Sequence, residues 1–279
     1  MSRLRAAVRR LAPRPVVRAV HGARRPGPDD DPRRTPYRYV FVVTYGRSGS
    51  TLIQGLLNSL PRTLVRGENN FYVLHLFRAW ADLRSFRQLH LKHNPKAVRS
   101  AFYGLHEIRP ASLVAATRSL LTSHMLGSVR PRQVDVLGFK EVLWHRIEEQ
   151  EVPDFFDFLE RVFPHSLYVL NERSHEQVVG SGFWQGQERG EVLEAIERVE
   201  EMQDFLRRTR PDRTLDLRYE LVTSDDAATS EAQLRALATF VSGTCDDETL
   251  VTMRETLATG HGPFPFGKSR GRRERRRSG

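Results

Sequence analysis

The feature that most constrains this chain is the apolar run Tyr39-Val40-Phe41-Val42-Val43-Thr44, followed by glycines at 46 and 49 and then by Ser50-Thr51-Leu52-Ile53-Gln54-Gly55-Leu56-Leu57. A short, nearly continuous run of β-branched and aromatic residues predicts a strand buried on both faces, as in parallel sheets covered by helices. The glycines break the strand, the hydroxyl residues at 50 and 51 suit a helix start, and Pro61 stands just beyond its end. This reads as strand, tight loop, helix. Further strands are predicted at Thr63–Arg66, Val134–Lys140, Ser166–Leu170 and Thr214–Leu217, with helical periodicity near 70–84, 111–126, 152–162, 174–208 and 230–240. That alternation predicts an α/β fold, a central parallel sheet flanked by helices on both faces, with ligands gathering at the C-terminal strand ends.

A chain of 279 residues with 39% hydrophobic content suits one domain of moderate size. Its formal charge of +10 belongs to the ends. Residues 1–34 hold ten Arg against three Asp, and residues 268–279 hold seven Lys or Arg against one Glu, which leaves −3 for residues 35–267. The predicted organisation is a disordered Arg-rich tail over 1–36, one folded domain over 37–267 and a basic tail over 268–279. Pro13, Pro15, Pro26, Pro28 and Pro32 prevent a long helix in the first tail. The tails have the means for weak contact with an anionic surface. No apolar stretch has the length of a transmembrane helix, and the Arg-rich start lacks the apolar core of an export signal. With a single cysteine, Cys245, a disulfide framework is excluded, and a cytoplasmic location is expected.

A loop between a buried strand and a helix start presents unpaired backbone N–H groups and the positive end of the helix dipole to an anion. In the segment Gly46-Arg47-Ser48-Gly49-Ser50-Thr51 the glycines allow close backbone approach, Arg47 adds a charge, and the hydroxyls add donors. A glycine-serine turn without a ligand is the bland alternative. The nucleoside-triphosphatase pattern needs a longer loop and a lysine, and so does not apply here. A formal match to that pattern at Gly262-Pro263-Phe264-Pro265-Phe266-Gly267-Lys268-Ser269 has no buried strand before it and no amphipathic helix after it.

Tyr45-Gly46-Arg47-Ser48-Gly49-Ser50-Thr51-Leu52 resembles the 5′-phosphosulfate loop of sulfotransferases that use 3′-phosphoadenosine 5′-phosphosulfate (PAPS), in particular their bacterial and carbohydrate-type members. A second similar element is the strand Leu167-Tyr168-Val169-Leu170-Asn171-Glu172 with Arg173 behind it and Ser181 eight residues later, which the resemblance assigns to the 3′-phosphate. A third is Arg218-Tyr219-Glu220-Leu221, which places Tyr219 near the adenine. Together these cover residues 40 to 240. Leu52 departs from the aromatic residue that cytosolic members often carry there. The late glycine-containing basic loop of the family has a counterpart in Gly260–Arg270, with Lys268 and Arg270 as phosphate contacts. The resemblance implies a P-loop-like sheet, PAPS as donor without a metal, and a hydroxyl-bearing acceptor: a carbohydrate, a lipid-linked glycan or a small metabolite.

Transfer of a sulfuryl group is an in-line displacement that needs a base for the acceptor proton and cations for the leaving phosphate. The resemblance gives Arg47 the leaving-group role. Glu68, after the second predicted strand, is the first choice for the base, against capping a helix or pairing with Arg66. Glu141 is its competitor, against a plain strand-end ion pair, and the similarity of Gly138-Phe139-Lys140-Glu141 to the Lys-x-His segment of cytosolic sulfotransferases, with Val142 where the His would stand, implies that Lys140 stabilises the sulfuryl group. His90 and His93 have no third ligand, His145 and His175 stand alone in sequence, and all four read as surface residues. The competing functions are a P-loop nucleotide kinase or hydrolase and a nucleic-acid-binding protein acting through the tails.

Overall fold

The computed structural model describes residues 35–179 and 188–260. Both tails, Ser181, Lys268 and Arg270 lie outside the described residues. Five strands form one sheet: β1 (Arg38–Val43), β2 (Thr63–Arg66), β3 (Val136–Glu141), β4 (Ser166–Glu172) and β5 (Thr214–Arg218). Their spatial order is β2-β3-β1-β4-β5, and every pairing is parallel. Between and after them run α1 (Ser50–Asn58), α2 (Tyr72–His90), α3 (Pro110–Leu126), α4 (Val152–Val162), α5 (His175–Val179), α6 (Arg189–Thr209), α7 (Tyr219–Val222), α8 (Ala227–Ser242) and α9 (Asp247–Thr259).

The central strand shows why the sheet needs helices on both faces. Alternate side chains point opposite ways. Tyr39, Phe41 and Val43 enter one core with Phe139, Tyr168, Phe156 and Phe163, while Val40 and Val42 enter another with Ile53, Leu56, Leu57 and Leu237. In the first core Phe41 lies 4.7 Å from Phe139 and 5.3 Å from Phe163, ring to ring. Such tilted aromatic pairs add roughly 0.5–1.5 kcal/mol beyond their buried area.

The predicted strands agree with the observed ones to within two residues at each end. Differences lie in the helices. The region 174–208, read as one helical stretch, holds two helices among the described residues, α5 and α6, the second starting afresh after the extended Glu188. α8 is longer than expected because Asp226 caps it, accepting from Ala228 N and Thr229 N. α9 was not predicted: of its four buried residues, Thr249, Leu250, Met253 and Thr256, only two are apolar, too few to mark a clear stripe.

Candidate active site

β1 lies at the middle of the sheet with β3 on one side and β4 on the other, so the loop after β1 opens at a point where the strand order reverses. Open α/β sheets form their crevice there. The loop's shape is set by two left-handed residues, Arg47 (φ 69°) and Gly49 (φ 80°). A non-glycine residue held in this region stores strain that the surroundings must balance, and such residues cluster at functional sites. Gly49 has a second requirement, because a Cβ built on it would stand 2.1 Å from Cδ2 of Tyr219. Gly49→Ala is therefore expected to destabilise the domain by at least ~1–2 kcal/mol and to displace the Tyr219 ring; chemical denaturation checks this.

The loop is fastened from β4. Asn171, fully buried, donates from Nδ2 to the Ser48 carbonyl (3.0 Å) and to Thr44 Oγ1 (3.3 Å), and its own carbonyl accepts from the Thr44 hydroxyl at 2.8 Å. The Tyr45 phenol donates to the Arg173 carbonyl (2.9 Å) and accepts from the Arg173 amide (3.0 Å). Burial pushes the Tyr45 phenol well above its ordinary pKa and keeps it a neutral donor. The Ser48 hydroxyl, expected to face an anion, is buried 2.6 Å from that of Thr44, so what Ser48 can still offer an anion is its backbone N–H. α1 begins at Gly49 with no side chain capping it and no acidic residue in its first turn, which leaves its positive end open.

A cleft of about 300 Å³ lies against this turn, lined by Gly46, Arg47, Gly49 to Leu52, Glu68, Lys140, Val142, Arg173 and Tyr219. Arg173 is held by several contacts. Its guanidinium stacks 4.3 Å from the centre of the Tyr219 ring, donates to the Arg47 carbonyl (3.2 Å), and reaches Gln177 Oε1 from Nε (3.0 Å) and Nη2 (2.9 Å). On the opposite wall the buried Lys140 ammonium forms an ion pair with Glu68, whose side chain is 45% exposed. Arg66, the partner considered for Glu68, instead donates to the Met125 and Leu126 carbonyls at the end of α3. Lining residues thus bring three cations and one carboxylate to the cleft, a balance suited to an anion.

Glu141 is placed differently from Glu68. Its side chain is wholly buried, and its two oxygens accept from four backbone N–H groups: Asn69 (3.2 Å) and Phe71 (2.9 Å) on one, Val142 (2.9 Å) and Leu143 (3.3 Å) on the other. It thereby ties the loop that carries Glu68 to the turn after β3. Asn70 and Phe71 in that loop are both left-handed, with φ of 59° and 52°. Trp144 adds a further tie, its indole N–H shared between the Glu141 carbonyl (2.9 Å) and the Val42 carbonyl (3.1 Å).

A sequence model of the sulfotransferase family matches residues 39–242, from the central strand through α8. The chain belongs to the sulfotransferase family. The match favours neither the kinase or hydrolase reading nor the nucleic-acid reading. Among solved structures, this sulfotransferase is similar to the sulfotransferase domain of the Synechococcus PCC 7002 olefin synthase, with 17% identity, 82% of each chain covered and a TM-score of 0.45. It is also similar to the sulfotransferase domain from the curacin biosynthetic pathway (15%, 79% of this chain and 78% of that one, 0.46). A third likeness is to sulfotransferase STF9 from Mycobacterium avium (14%, 83% and 71%, 0.42). No curated protein matches the sequence.

Asn171, Gln177, the Tyr45 phenol and Trp144 were not singled out in the sequence. A signal existed only for Asn171, the single amide at the end of the apolar run Leu167–Leu170. Of the histidines read as surface residues, His90 stacks on Phe102 at 4.2 Å, and His175, isolated in sequence, has its Nε2 2.7 Å from Glu200 Oε1. Among the described residues no group of three or more His, Cys, Asp or Glu could hold a metal ion, and no helix is long and apolar enough to cross a membrane.

Proposed function

We propose that this sulfotransferase moves a sulfuryl group from PAPS to a hydroxyl of a carbohydrate, lipid-linked glycan or small metabolite. The observation that carries the reading is the convergence of the uncapped start of α1, Arg47, Arg173 and the Lys140–Glu68 pair on one cleft. The donor supplies an activated sulfuryl group on a phosphate leaving group. The residues present fit such a polyanion, because the first turn of α1 carries no acid and Arg173 is pre-oriented over a flat ring. In this reading the N–H groups of 46–51 and Arg47 hold the 5′-phosphosulfate and neutralise the leaving oxygen. Arg173 takes the 3′-phosphate beside Tyr219, with Ser181, Lys268 and Arg270 proposed to assist. Lys140 stabilises charge on the sulfuryl oxygens. Glu68, half-exposed on the cleft wall, accepts the proton of the acceptor hydroxyl as its oxygen bonds to sulfur and the bond from sulfur to the phosphate oxygen breaks. Glu141 holds the Glu68 loop and takes no proton, since its acceptor positions face four backbone donors.

The product nucleotide 3′-phosphoadenosine 5′-phosphate tests the donor site directly. At about 100 times its dissociation constant it should stabilise the fold by ~2.7 kcal/mol, which raises the melting temperature by roughly 5–10 °C. Arg173→Ala should remove most of that shift. No shift in the native protein, or better protection by ATP with magnesium, would overturn the assignment of the donor.

A further inference from the structure

Residues 84–109, covering the last turns of α2 and the connection to α3, differ in charge from the rest of the domain. They carry Arg84, Arg87, Lys92, Lys96, Arg99 and Arg109 against one acid, Glu107, while residues 35–267 as a whole stand at −3. All six except Arg87 are exposed, and none forms an ion pair among the described residues. Glu107 lies 3.7 Å from His106 instead. The same segment holds five of the eight large apolar residues exposed in the described chain: Phe86 (47%), Leu89 (58%), Val98 (76%), Tyr103 (58%) and Ile108 (45%). The excursion is folded. Phe102 stacks on His90 and lies 6.0 Å from Phe86, Gly104 N donates to the Pro95 carbonyl (2.9 Å), and Ser100 Oγ donates to the His93 carbonyl (2.9 Å). The exposed apolar side chains therefore stand on a folded segment with its own internal contacts.

We propose that this excursion docks the enzyme on an anionic lipid surface, with its basic residues over the headgroups and Leu89, Val98 and Tyr103 entering the acyl boundary. Clustered cations beside exposed aliphatic and aromatic residues are what such an interface recognises. A second copy of the chain would bring two surplus-positive faces together, which opposes pairing through this surface. Nucleic acid would use the cations and the aromatic rings but has no place for the aliphatic Leu89, Val98 and Ile108. The proposal does not depend on the sulfuryl-transfer chemistry.

Val98→Trp in the full-length chain provides a depth probe. With vesicles of phosphatidylcholine and phosphatidylserine whose acyl chains are brominated, the new tryptophan should be quenched beyond the quenching of the native protein, and it should stay unquenched on pure phosphatidylcholine. The triple change Lys92→Glu, Lys96→Glu and Arg99→Glu should weaken vesicle binding by at least about tenfold. Neither variant should change the melting temperature or transfer to a soluble acceptor, which separates failure of docking from failure of the reaction. Vesicle binding without quenching at 98 would assign attachment to the Arg-rich tails and overturn the proposal. So would a dimer that shields Val98 from an aqueous quencher, or retention by nucleic acid with no quenching on vesicles.

Discussion

Glu68→Gln is expected to lower kcat by roughly 10²–10⁴-fold, the contribution of a positioned general base. Donor binding should be retained, with only a modest loss of stability. The amide oxygen can still accept from the Lys140 ammonium, so the geometry of the pair survives while the ability to take a proton is lost. Glu68 is itself half-exposed, but the buried Lys140 ammonium loses its counter-charge and keeps only a neutral acceptor, so the melting temperature should fall modestly while the fold is retained. Turnover of labelled donor, measured beside the thermal shift produced by 3′-phosphoadenosine 5′-phosphate, separates catalysis from binding. A loss of activity below about fivefold with the shift intact would remove Glu68 from the base role.

Glu141→Ala should act through stability instead. Four backbone N–H groups lose a charged acceptor inside the protein, and leaving buried donors unmatched costs about 3–5 kcal/mol in all, after water enters the space. Urea denaturation measures this. The substitution also frees the two left-handed residues, Asn70 and Phe71, that the carboxylate holds in place, so the Glu68 loop should relax and activity should fall with stability. Glu141→Gln keeps one acceptor oxygen and turns an NH₂ toward the other two N–H groups, so it should retain about half of the stability lost in the alanine variant. A Glu141→Gln protein as stable as the native one would contradict the anchoring role.

Much of the fold was legible because the strands are short buried runs with sharp ends. Thr63–Arg66 was read to the residue, since Pro61 precedes it and Gly67 follows. Val134–Lys140 was read too early at its start: Asp135 belongs to the turn before β3, where it pairs with Arg62 at 2.5 Å. Arg47, Glu68, Lys140, Arg173 and Tyr219 are far apart in sequence, yet each follows or ends a strand; the strand-end rule pointed to the loop of Arg47 and to Glu68, while Arg173 and Tyr219 came from the resemblance, and all five line one cleft. Periodicity could not separate Glu68 from Glu141, because both stand at strand ends and only the direction of the side chain distinguishes them. One faces the cleft and the other faces backbone amides. The amide and phenol anchors escaped for a related reason. Asn171 and Tyr45 act through bonds to atoms far away in sequence, whose direction no local pattern encodes, and Gln177, only four residues from Arg173, has a spacing that alone does not distinguish a partner from a solvated side chain.

The ties of the β1 loop have a consequence for how this enzyme fails. Asn171 binds the loop to β4, and Trp144 joins the carbonyls of Val42 in β1 and Glu141 in β3, so the central part of the cleft edge is bolted to the three inner strands. Those strands carry the two aromatic and aliphatic cores on their faces. The most deeply packed strands of a domain are the last to open in native-state fluctuations. Heat or denaturant is therefore expected to deform the β1 loop only as the inner strands melt, so that loss of activity coincides with cooperative unfolding.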